Sequence, residues 1–168
     1  MIVFEEKIRE LIDVLPHLEN ENGSFPIRYD WGTQDVLNKF LILKENVSKY
    51  PLIWLVTGLD THDYISETIT RKSRFVIATN SKDKEQFNEY QYQNDYSKIL
   101  IPVYQNLITL LERSGITTII NQSINFELKP NYSVNDNGNG LITTWNALVV
   151  DVEIQINLKK CQNKLIRF

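Results

Sequence analysis

Between positions 148 and 159 the chain alternates without interruption. Leu148, Val150, Val152, Ile154, Ile156 and Leu158 take turns with Val149, Asp151, Glu153, Gln155, Asn157 and Lys159. A period of two gives a β-strand one dry and one wet face, and a helix has no use for it. Upstream, Ile124, Phe126 and Leu128 alternate with Asn125, Glu127 and Lys129, and the segment from Pro130 to Gly140 carries Asn-Gly turn formers. Together these predict a long C-terminal β-hairpin that projects and completes the burial of its apolar face on a neighbouring copy.

The remaining elements follow from similar patterns. Phe4, Ile8, Leu11, Ile12 and Leu15 recur at helical spacing, and Pro16 stops that helix. Its interspersed Glu5, Glu6, Lys7 and Arg9 predict a folded helix and not a signal peptide, so the chain is expected to start in the cytoplasm. Phe25, Ile27, Tyr29 and Trp31 alternate with polar residues as one strand, which Pro26 places at an edge or at its own beginning. Thr33 is placed to cap a second helix whose apolar face is Val36, Phe40, Leu43 and Val47, joined by Leu37 and Leu41. Two short apolar runs, 51–57 and 74–79, predict buried strands with Trp54 in the core. Ile99, Leu100, Val103, Leu107, Leu110 and Leu111 form a helical stripe, with Pro102 kinking it or marking where its regular part starts. The expected class is α+β: a mixed, largely antiparallel sheet with helices packed mainly on one face. A single domain, 1–168, carries long loops at 58–72, 80–94 and 130–140, lengths that point to disorder or to function.

Composition excludes several classes. The 168 residues hold eight Tyr, seven Phe and three Trp at a net charge of only −3, which is not a disordered chain. No apolar run approaches the roughly 18 residues of a membrane span. Basic and acidic residues are nearly balanced in both halves, 11 to 13 up to Lys84 and 7 to 8 after it, so a dedicated nucleic-acid binder is not expected. The exception is the C-terminal end, with Lys159, Lys160, Lys164 and Arg167 and no acid. Cys161 is the only cysteine and forms no internal disulfide. Seventeen Asn against two Ala suit AT-rich coding DNA.

Chemistry-bearing patterns are sparse. Asp60, His62 and Asp63, with Glu67, are the one crowding of carboxylates around a histidine, and they define an alternative reading as a small metal-dependent enzyme. Asp13, His17 and Glu21 share helical spacing, but Pro16 breaks the helix that would align them. The chain has no G-x-S-x-G elbow and no phosphate-cradling glycine loop. Asp151 and Glu153 are expected as surface charges on the wet face of a strand. Trp31 and Trp145, at strand ends, are placed to cap the core or enter an interface.

The order of the elements resembles that of phage tail-completion proteins, in particular the tail terminators. The resemblance is carried by the N-terminal amphipathic helix, by Tyr50-Pro-Leu-Ile-Trp-Leu, by Arg74-Phe-Val-Ile-Ala-Thr, by Ile99-Leu-Ile-Pro-Val-Tyr-Gln-Asn-Leu and by Trp145-Asn-Ala-Leu-Val-Val-Asp-Val-Glu-Ile. Tyr29-Asp-Trp-Gly-Thr-Gln-Asp-Val-Leu-Asn-Lys-Phe is also similar to tail proteins of phages infecting Bacteroidetes. The resemblance implies a virion protein of the neck or tail, assembled in the host cytoplasm. It implies a ring, usually a hexamer, that touches the tail tube protein and the head–tail connector while DNA passes through without sequence readout. It implies no catalytic residue, metal, cofactor or membrane. Candidate interface residues are Trp31, Tyr90, Tyr92, Tyr132, Asp136, Trp145, Lys159, Lys160, Lys164 and Arg167, with the basic end set against Glu5, Glu6 and Glu10 of a neighbour. A head-closure or other minor connector protein is the near alternative. A cellular binding domain is a more distant one.

Overall fold

The computed structural model describes residues 3–21, 23–43, 50–81, 88–136 and 142–159. It is an α+β structure around a mixed sheet. The chain begins with α1 (Phe4–Ile12), a separate two-stranded hairpin β1 (Leu18–Asn20) and β2 (Gly23–Phe25), then β3 (Arg28–Gly32) and α2 (Gln34–Ile42). It continues through β4 (Leu52–Val56), β5 (Thr61–Asp63) and β6 (Thr68–Ser81). A short α3 (Asn88–Gln91) leads into a π-helical segment, Tyr92–Leu100, and directly into α4 (Ile101–Arg113). The last strands are β7 (Thr117–Ile119), β8 (Asn125–Asp136) and β9 (Ile142–Asn157).

In the sheet the order is β3-β4-β6-β9-β7, with β5 added to β6 and β8 to β9. Among the described strands only β3 and β4 run parallel; every other pair is antiparallel. β9 is therefore central, not projecting. It pairs with β6 from Thr144 to Asn157 on one side, and with β8 and then β7 on the other. Its dry face needs no second copy. Leu148, Val150, Val152, Ile154 and Ile156 are buried together with Phe4, Ile8, Leu11 and Ile12 of α1 and with Val103, Leu107 and Leu111 of α4. The other face carries its own core, where Leu37 and Leu41 of α2 pack with Leu52, Trp54, Val76, Ala78, Trp145, Ala147 and Val149. Successive residues of a strand point to opposite faces, so Ile53 and Leu55 serve the first core and Leu52 and Trp54 the second.

Local chemistry sets the element ends. Thr33 caps α2, its hydroxyl accepting the Val36 N–H at 3.3 Å. Gly32 just before it leaves room for the Trp54 ring, because a β-carbon there would lie 2.9 Å from Cζ2, and the indole N–H donates to the Gly32 carbonyl at 3.2 Å. Pro102 sits in the first turn of α4 and lacks the N–H that would continue the ladder, so the helix changes pitch where its regular part starts.

Four expectations are corrected. Segment 58–72 is not a loop: it holds β5 and the first residues of β6. Residues 88–94 of the expected 80–94 loop are helical, and residues 130–136 belong to β8, with a bulge between Lys129 and Ser133. At that bulge Asn131 has φ +53° and its N–H donates to the buried Asn146 Oδ1 at 2.9 Å. The single strand expected over 24–31 is broken into β2 and β3 around Pro26 and Ile27.

Candidate assembly surface

The residues of the expected metal loop form the hairpin β5–β6. Asp63 organises its turn, with Oδ1 accepting the N–H of Ile65 at 2.9 Å and of Ser66 at 3.2 Å. Hydrogen bonds from the Ser66 side chain, and from the backbone of Ser66 and Ile65, hold the Asp63 carboxyl below the usual carboxylate range, so it is ionised at neutral pH. Glu67 closes the turn at φ +52°, and its carbonyl accepts the Leu158 N–H at 2.9 Å. The His62 ring stacks on Tyr64 with centroids 6.2 Å apart.

This turn holds apolar side chains in water. Tyr64 is 87% exposed and Ile65 94%, with Leu59 at the base of the hairpin 86% exposed. A lone exposed apolar residue is ordinary, but adjacent Tyr64 and Ile65 at the turn, with Leu59 at the base, concentrate exposed apolar side chains on one short arm.

The root of the arm is fixed by Arg71, which is 3% exposed. Its Nε and Nη2 donate to the two carboxylate oxygens of Asp60 at 2.6 and 2.9 Å, while Nη1 donates to Glu5 Oε1 at 2.6 Å. The guanidinium also lies 4.2 Å from the Phe4 ring centroid. Burial works against its charge, but the hydrogen bonds to Asp60 and Glu5 outweigh that and raise its pKa above the ordinary arginine value. Arg71 thus joins the arm to the first turn of α1.

The geometry gives the metal reading no converging set of ligands among the described residues. Both oxygens of Asp60 are held by Arg71, and Asp63 serves its own turn. No group of three or more His, Cys, Asp or Glu side chains converges among the described residues.

The other expected site residues scatter. Trp31 is half-buried and donates Nε1–H to Glu6 Oε1 at 3.1 Å. Trp145 is a correction: it is wholly buried, donates to the Leu41 carbonyl at 2.9 Å, and so serves the core and no interface. Tyr132 is partly buried against the second core, its hydroxyl accepting from Gln34 Nε2 at 2.6 Å. Tyr90 and Tyr92 are about half exposed, on α3 and the start of the π-helical segment. Asp136 stands opposite Ile142 in the β8–β9 register. Lys159 lies 3.6 Å from Glu67 of its own chain. Lys160, Lys164 and Arg167 lie outside the described residues. The acids assigned to a neighbour's basic end are already engaged: Glu5 by Arg71, Glu6 by Arg9 and Trp31, Glu10 by Lys7. Asp151, as a surface charge, pairs with the cross-strand Arg74 through two hydrogen bonds of 2.8 and 2.9 Å.

A cleft of about 460 Å³ opens where β6 runs on past the first residue of β4, lined by Tyr50, Asn80, Asp95 and Lys98 among others. Asp95 there is buried and accepts from Asn146 Nδ2 at 2.6 Å, which fixes the π-helical segment to β9. The Thr79 and Ser81 hydroxyls at its wall are closed off from solvent, so the cleft offers them to no ligand.

Sequence reasoning missed the arm and Arg71. The signal for the arm was the apolar pair Tyr64-Ile65 directly after a turn-forming Asp63; nothing local marked Arg71 as buried. Among the described residues no helix is long and apolar enough to cross a membrane. No family model matches the chain, and no curated protein matches it either.

Proposed function

We propose that this chain is a structural protein of a phage neck or tail. Copies of it join into a ring that caps the tail tube and meets the head connector, with the DNA passing through unread. It acts in the virion, after assembly in the host cytoplasm, and by packing alone. The single observation behind the self-assembly is the β5–β6 arm, which holds Tyr64 and Ile65 out in water on an ordered turn. An apolar surface presented in this way gains free energy only by meeting a partner. The segments that carry the resemblance fall on ordered elements, α1, β4, β6, the junction into α4, and β9, which supports the reading without reaching the family.

The test is native mass spectrometry and negative-stain imaging of the full chain, alone at rising concentration and mixed with tail tube protein from the same genome. Closed rings of about six copies, free or on tube ends, are expected for a rotationally closed contact. A single copy under every condition, with no binding to tubes, overturns the proposal.

A further inference from the structure

We infer that the β5–β6 arm of one copy seats in a groove between the ends of α1 and α4 of the next copy. The inference rests on the self-assembly proposed above and names the two surfaces that meet. The groove is a cleft of about 310 Å³ whose wall is formed by Val14, Leu15, Pro16 and Leu110, with Arg113 as its charged residue. Val14 is 70% exposed, and Leu15 and Leu110 are only partly buried against the core, so this apolar surface is uncovered in the single copy. The arm matches it in chemistry. Tyr64 and Ile65 supply apolar side chains, and the neighbouring Asp63, held ionised by its own turn, supplies the charge opposite to Arg113.

Placement agrees with a contact between copies. Arg71 pins the root of the arm to Glu5 in the first turn of α1, while the groove begins at Val14, beyond the last turn. Knob and hole are therefore anchored at the two ends of one nine-residue helix, about 14 Å long at 1.5 Å per residue. A molecule with a knob at one end and a hole at the other makes heterologous, head-to-tail contacts, which close into a ring when the rotation per copy allows. An isologous dimer would instead exchange both arms about one two-fold axis and stop at two copies, so the size of the wild-type assembly separates the two arrangements.

The experiment uses two full-length variants, Ile65→Asp in the arm and Val14→Asp in the groove. Both positions are exposed, so each chain is expected to fold, and circular dichroism with urea unfolding checks this. Wild type should assemble, and each variant alone should show its association weakened at least a hundredfold. An equimolar mixture should recover heterodimers and nothing larger, because one intact arm then meets one intact groove. If wild type assembles and Val14→Asp assembles equally well, the groove is not the partner, and this inference fails while the ring stands. If both variants are weakened but the mixture stays monomeric at concentrations well above the wild-type dissociation constant, arm and groove do not meet each other. If wild type stays a single copy under every condition and binds no tube ends, both proposals fall together.

Discussion

Replacing Arg71 by Met removes the cation from a site where it is 3% exposed and Glu5 only 9%. The shape of the side chain is roughly kept, so the main effect is electrostatic. Glu5 loses its 2.6 Å partner and becomes a buried, uncompensated carboxylate, a change that costs about 3–5 kcal/mol in comparable buried pairs. Asp60 contributes less, because its side chain is 27% exposed and water can replace part of what the guanidinium gave it. For a chain of this length each kcal/mol lowers Tm by about 2–4 °C, so the expected drop is about 6–20 °C. Urea unfolding at neutral pH measures the free energy directly. The double variant Glu5→Met with Arg71→Met supplies the control: with both charges gone the site becomes apolar, and most of the loss should return. Amide exchange should accelerate at 60–66 in the single variant, since the arm has lost its anchor. A single variant within about 1 kcal/mol of wild type, an amount typical of an exposed ion pair, refutes the reasoning. So does a double variant as unstable as the two singles added.

Three further outcomes are expected. The Asp151 carboxyl is held below its ordinary pKa by its hydrogen bond from Arg74, so it contributes stability above about pH 4, the unfolded value, and loses it as pH falls through the lower folded value. Asp151→Asn should therefore lose less stability than wild type on acidification below pH 4; equal acid slopes in urea titrations would contradict the pair. Thr33→Ala removes the hydroxyl that accepts the Val36 N–H and should cost about 1 kcal/mol in chemical denaturation, with Thr33→Ser restoring it. Trp145→Phe strands the buried Leu41 carbonyl and should cost about 1–3 kcal/mol, whereas an unchanged unfolding midpoint would mean that this indole is not the core anchor.

The sequence carried the sheet's centre and much of its helical cover, because those depend on local period. β9 is legible from alternation alone, α1 from its i, i+3, i+4 stripe, and the cap at Thr33 from one residue type. What escaped depends on contacts distant along the chain. β6 is fourteen residues long, yet only 74–79 looked like a strand, since Arg71 occupies a buried position where an apolar residue was expected. The partner that makes that burial tolerable, Glu5, lies 66 residues away. In α2 two stripes satisfied the helical period, and the one containing Val36 was weighted first. The structure buries Leu37 and Leu41 and leaves Val36 48% exposed, because Trp54 and Trp145 shape the surface that α2 meets. By sequence Trp145 stands at a strand end, placed to cap the core or enter an interface; β6 pairs with it on one side and β8 on the other, and it serves the core.

Arg71 also bears on why the arm is built with a buried ion pair at all. Buried charges are seldom more stabilising than well-packed apolar groups of the same volume, so stability alone does not favour Arg at this position. A leucine there would hold α1 against β6, but it would leave the direction of the 58–66 segment to soft packing. The fork of three hydrogen bonds, two to Asp60 and one to Glu5, fixes the root of the arm and the start of α1 relative to each other in distance and in angle. A contact that must close a ring is sensitive to this angle, because an error in the rotation per copy accumulates around the circle and turns a closed ring into an open helix. If the proposed ring forms, the double variant Glu5→Met with Arg71→Met, though restored in stability, should assemble into open or mixed-size polymers in place of that ring. Rings of wild-type size and uniformity from the double variant would show that the network serves the fold alone.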